Sequence, residues 1–72
     1  MVAQRELMTF EKTIGPGVSV RITGVPASIH GTREIRAFDR RTAYRIESLL
    51  GIARSRMANG ETDITLDFTT GA

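Results

Sequence analysis

The sequence has no cysteine, one histidine, one lysine and two prolines in 72 residues. Without cysteine there is no disulfide, no thiolate metal site and no thiol nucleophile. The one histidine, His30, lies in a stretch that reads as a glycine-flanked loop, with no second histidine or cysteine to complete a metal site. Asp63 and Asp67 are four apart on an expected strand, about 13 Å, too far to share a proton or an ion. Gly15-Pro16-Gly17 lacks the following lysine and serine or threonine of a phosphate-binding loop, and its proline removes an amide donor. The common routes to catalysis are therefore missing, and the expectation is a chain that is not an enzyme and takes no cofactor, metal or small-molecule substrate. No stretch approaches the roughly 20 apolar residues of a membrane span, and MVAQRELMTF has neither the basic start nor the apolar run of a signal peptide. A soluble, cytoplasmic protein is expected.

What is present is uneven. The net charge is +2, yet seven arginines fall between Arg33 and Arg56, against Glu34, Asp39 and Glu47, while the chain beyond Met57 carries only Glu61, Asp63 and Asp67. Nine of the ten cations are arginine, the forked donor suited to carboxylates and phosphates. A chain of this length forms one domain, 1–72, and buries only roughly 60% of its unfolded surface, so self-association is a live option.

The periodicities read as one unit. Met8 and Phe10 alternate with Leu7, Thr9 and Glu11, which suggests a first strand over about 5–14. Gly15-Pro16-Gly17 reads as a turn, and Val18, Val20 and Ile22 alternate with Ser19, Arg21 and Thr23, so a hairpin is expected. Residues 24–32, with Pro26 and two glycines, read as a turn or loop exposing Ile29 and His30. Residues 32–38 then form a third strand with Ile35 and Ala37 inward. Asp39 is a natural N-cap for a helix ending near Asn59-Gly60. Ile64, Leu66 and Phe68 mark the last strand.

The fold class expected is α+β, in the order β-β-β-α-β: a mainly antiparallel sheet with one long helix packed on one face. A right-handed crossover from the third strand would place the last strand parallel to the first and third, most simply beside the first, giving the spatial order 4-1-2-3. The core is expected to hold Met8, Phe10, Val18, Val20, Ile22, Ile35, Ala37, Ile46, Leu49, Leu50, Ala53, Met57, Ile64, Leu66 and Phe68.

At 100° per residue, Ala43, Ile46, Leu49, Leu50, Ala53 and Met57 share the arc that faces the sheet. The opposite side holds Tyr44, Ser48, Gly51, Ser55 and Ala58, spaced i, i+4, i+7, i+11, i+14, with Ile52 on its shoulder. Small residues on consecutive turns let another backbone come close, so this stripe is a candidate docking surface for a protein partner or for a second copy in a homodimer. Arg41, Arg45 and Arg56 flank it and need acids, either from Asp63 or Asp67 of the last strand or from a partner.

Two resemblances bear on function. GTREIRAFDRRTAYR resembles the strand-to-helix junction of the plant AP2-type and integrase arm-type DNA binders in having an aromatic and an aspartate before an amphipathic helix. It lacks their arginine and tryptophan ladder. That likeness implies nucleic-acid binding through Arg21, Arg33, Arg36, Arg40, Arg41 and Arg45. In size and layout the chain is similar to phage-encoded anti-defence proteins such as the anti-CRISPRs, several of which join a small antiparallel sheet to one or two helices. This implies a non-catalytic inhibitor or adaptor that works by surface contact with a protein, and the basic centre directs it toward acidic surfaces. The protein binder is the leading expectation and the nucleic-acid binder the alternative.

Overall fold

Two long strands set the frame. In the computed structural model, which describes residues 4–30 and 35–72, β1 (Gln4–Gly15) and β2 (Val18–His30) form an antiparallel hairpin. Pro16 presets the first turn position and Gly17 supplies the left-handed φ of 69° that a side chain would strain. Val18, Val20 and Ile22 face the core from the first half of β2.

The loop expected at 24–32 is a continuation of β2 through His30. Met8 stands opposite Val25 and Phe10 opposite Ile22, so Thr23 and Gly24 together face the single residue Thr9. This is a glycine bulge: Gly24 sits at φ 70° and shifts the alternation by one residue. After it the odd-numbered Val25 and Ala27 point inward and are buried, two core residues missed by treating this segment as a loop. Pro26 falls in the part of β2 that no second strand borders among the described residues, the setting in which a strand tolerates proline.

The third strand exists but is short. β3 (Ile35–Ala37) pairs antiparallel with Ser28–His30. The rest of the expected strand at 32–34, Arg33, and the side chains of Ile29, His30, Ile35, Arg36 and Ala37 lie outside what is described.

Helix α1 (Arg40–Ala58) starts at Asp39, whose carboxylate accepts from the Thr42 amide at 2.7 Å. It stops in a Schellman arrangement: the Gly60 amide donates to the Met57 carbonyl and the Glu61 amide to the Arg56 carbonyl, with Gly60 at φ 94°. Both ends thus follow the expected capping residues.

Strand β4 (Asp63–Asp67) overturns the expected strand order. It pairs parallel with Ser19–Thr23 of β2, not with β1, and so runs antiparallel to the first and third strands where a parallel course was expected. β2 therefore has β1 along one edge and shares its other edge between β4 at the start and β3 at the end. The crossover argument assumed that the helix doubles back over the third strand. Instead β3 covers only about 10 Å, and α1, about 28 Å long, carries the chain onward in the same direction. It ends beside the start of β2, where the Ser19 amide donates to the Thr62 carbonyl. The architecture remains α+β, β-β-β-α-β, with a mainly antiparallel sheet and the helix on one face.

The core lies between α1 and that face. Val18, Val20, Ile22, Val25, Ile46, Leu49, Leu50, Ala53, Ile64 and Leu66 form one buried cluster, with Met8, Phe10, Ile14, Phe38, Met57 and Phe68 half-buried around it. Phe10 meets Phe38 edge to face at 6.1 Å. Within the helix, Ala43, expected on the inward arc, is exposed, and its neighbour Thr42 is buried instead. Thr42 lies closer to the centre of the inward arc, and its methyl is as apolar as that of alanine.

Candidate interaction surface

The outer side of α1 is open along its length. Tyr44 is 68% exposed and Ile52 40% exposed, and Ser48, Gly51, Ser55 and Ala58 between and beyond them are all exposed. A Cβ added at Gly51 would meet no atom within 4 Å, so none of the described residues uses the space the glycine leaves.

The arginines beside this stripe divide into two groups. Arg45 turns to the C-terminal tail, where its Nε donates to the Phe68 carbonyl at 2.9 Å and a terminal nitrogen to that of Thr69 at 3.4 Å. Arg56 forms a fork with Glu61, Nε to Oε2 at 2.8 Å and the terminal nitrogen to Oε1 at 2.7 Å. That hydrogen bonding holds the Glu61 carboxyl below its ordinary range and raises the Arg56 guanidinium. The acids expected from the last strand are thus replaced by two backbone carbonyls and by Glu61.

Arg40 and Arg41 are different. Both are exposed in the first turn of α1, which holds no acidic residue, and neither joins an ion pair among the described residues. Cations at a helix N-terminus oppose the macrodipole, so these two cost the isolated fold a few tenths of a kcal/mol where acids would contribute. Arg41 is one turn before Tyr44, and the pair forms the cationic end of the stripe.

The tail itself went unread in the sequence. After β4 the Asp67 carboxylate accepts from the Thr69 hydroxyl and from the Thr69 and Thr70 amides, and the Asp67 amide donates to the Ala72 carbonyl. These bonds, led by the Thr69 hydroxyl, hold the Asp67 carboxyl below its usual range. Gly71 is thereby laid against α1: a Cβ there would stand 3.3 Å from Arg45, 3.6 Å from Leu49 and 3.9 Å from Ile52. The available signal was Asp67-Phe-Thr-Thr-Gly, an aspartate two residues before hydroxyl residues and a glycine, which is turn chemistry.

Of the arginines assigned to nucleic acid, the four whose side chains are described, Arg21, Arg40, Arg41 and Arg45, do not share a surface. Arg21 alternates with the buried Val20 and Ile22, so it points from the opposite face of the sheet, where it pairs with Glu11 across the hairpin at 3.2 Å. Glu11, Ser19, Arg21 and Asp63 line a shallow dent on that face. Arg40, Arg41 and Arg45 are on the helix side.

Among the described residues no three His, Cys, Asp or Glu side chains are grouped to hold a metal ion, and no helix is long and apolar enough to cross a membrane. No protein-family model, curated protein or solved structure matches the chain.

Proposed function

We propose that this chain is a small non-catalytic binding protein of the inhibitor or adaptor kind, as the phage anti-defence proteins are, acting in the cytoplasm by covering a carboxylate-rich patch of a protein partner. The observation that carries the reading is the exposed Tyr44, one turn from Arg41, on a helix face that the tail borders at Ile52 and leaves open elsewhere among the described residues. Tyrosine and arginine are the side chains most often found at the energetic centre of interfaces. An acidic partner would neutralise Arg40 and Arg41, whose charge the fold leaves unspent. The small residues Ser48, Gly51 and Ser55 let that partner approach the helix closely, with Ile52 as a second apolar contact.

The test is capture from lysate of the source cells on the immobilised chain, comparing wild type with Tyr44→Ala and Arg41→Glu, before and after nuclease treatment. A protein retained by wild type, insensitive to nuclease and lost with both variants is the expected result. Retention that nuclease abolishes, or a shift of random duplex DNA that weakens steeply with salt, would replace this reading with nucleic-acid binding. Retention unchanged by both substitutions would move the contact off the helix.

A further inference from the structure

We infer that two copies of the chain pair through β1, antiparallel about a two-fold axis at Thr9, so that the two sheets become one. Three observations lead there, none involving the outer helix face.

The first is the free edge. β1 is twelve residues long and pairs only with β2 among the described residues, which leaves one row of its backbone donors and acceptors without a ladder. Long bare edges are normally shortened, covered or bulged. Here β1 is bulged only near its end, at Ile14, and α1 packs mainly over β2 and β4, reaching β1 where Met57 lies beside Gly15.

The second is that the core runs out to this edge unfinished. Met8 stands opposite Val25 and Phe10 opposite Ile22, so both point to the helix side, yet they are only half-buried, as is Ile14. In a 72-residue domain such unfinished apolar surface is a sizeable share of what is available.

The third is the charge pattern. Glu6 stands opposite Ala27 and Lys12 opposite Val20, so two exposed charges of opposite sign share the helix side of β1, each three residues from Thr9. An inward charge on an edge strand usually blocks pairing. Two that are opposite and symmetric block every register except one. With Thr9 facing its own copy, Glu6 meets Lys12 of the second chain twice, and Met8 meets Phe10 twice between them. A slip by two residues sets Glu6 against Phe10 or Ile14, and a slip by one turns the helix side of one strand toward the open side of the other.

The experiment is molar mass by sedimentation equilibrium over a concentration series, with circular dichroism confirming that each variant is folded. Wild type is expected to pass from 7.9 kDa to twice that mass. Lys12→Glu and Glu6→Lys, both at exposed positions, are each expected to weaken association about tenfold or more, because two symmetric pairs turn repulsive at once. The double variant Glu6→Lys/Lys12→Glu is expected to regain the wild-type constant, and Tyr44→Ala to leave it unchanged. A folded wild type that stays at 7.9 kDa throughout overturns the inference. So does a double variant no better than the singles, or association lost with Tyr44→Ala, which would place the contact on the helix. Capture of a partner by a monomeric chain would leave the proposed function standing while this inference fails.

Discussion

The two sides of α1 show how differently one helix can be committed. Thr42, Ile46, Leu49, Leu50 and Ala53 are buried against the sheet; Tyr44, Ser48, Gly51, Ile52 and Ser55, interleaved with them in sequence, are exposed. On the inner side each side chain is chosen for what it fills. On the outer side Ile52 lies near Gly71 of the tail, while Ser48, Gly51 and Ser55 stand where alanine, glutamate or arginine would favour the helix more. Fold stability and surface identity are therefore separable here, and substitutions on the two sides should act on different measurements.

The sharpest contrast comes from Leu49, fully buried at the centre of the inner face. Leu49→Ala removes its transfer energy and leaves a cavity, with an expected loss of about 2 to 5 kcal/mol. That is a large part of what a domain of this size holds, so urea denaturation should show a much earlier midpoint or no folded baseline. A midpoint within error of wild type would mean that the core is not organised around α1.

Gly51→Ala makes the opposite prediction two residues away. The glycine is in the helix interior with open space at its Cβ, so alanine should stabilise the fold by about 0.5 to 1 kcal/mol, read as a later urea midpoint at unchanged slope. The same variant should bind a helix-face partner more weakly if that partner lies close to Gly51. Lower stability on this substitution would break the comparison, because it would mean that the outer face is packed against something.

How much of this was legible differs by element. Val18, Val20 and Ile22 in β2 and Ile64 and Leu66 in β4 alternate plainly, and Asp39 and Gly60 mark the helix ends, because these signals are local and each residue acts through its own backbone. Gly24 and Pro26 misled for the same reason. A glycine at positive φ and a proline look alike in a turn and in a bulged strand, and only the partner strand, with Thr9 facing both Thr23 and Gly24, separates the two. The position of β4 was not legible either, since it depends on the direction α1 takes after a three-residue strand. Thr42 was hidden by sorting residues by polarity before angle. At the surface, the stripe from Tyr44 to Ala58 was placed correctly as an outward face, but the partners of Arg45 and Arg56 were not, because they come from the tail and the helix cap.

The border between the two sides of the helix is held by those arginines, and it gives the smallest predicted effect. Arg56 is tied to Glu61 just past the helix end, while Asp67 organises the tail that Arg45 holds by its carbonyls. Both carboxyls are depressed in the folded chain, Glu61 by the hydrogen bond from Arg56 and Asp67 first by that from the Thr69 hydroxyl. A depressed carboxyl contributes stability that is present above its unfolded pKa and is lost as the pH falls through the folded one. The loss should therefore begin near pH 4, where free carboxyls titrate, and deepen below it. Both groups are solvent-accessible, so the change is expected to be a shallow slope, well short of a collapse. Thermal melts from neutral pH downward on wild type, Glu61→Gln and Asp67→Asn should show both variants losing part of the acid-induced drop, since each has removed one titrating group. If the acid limbs of all three coincide, the tail and the helix cap are not held by these carboxylates, and the outer flank of α1 is bounded by something other than Arg45 and Arg56.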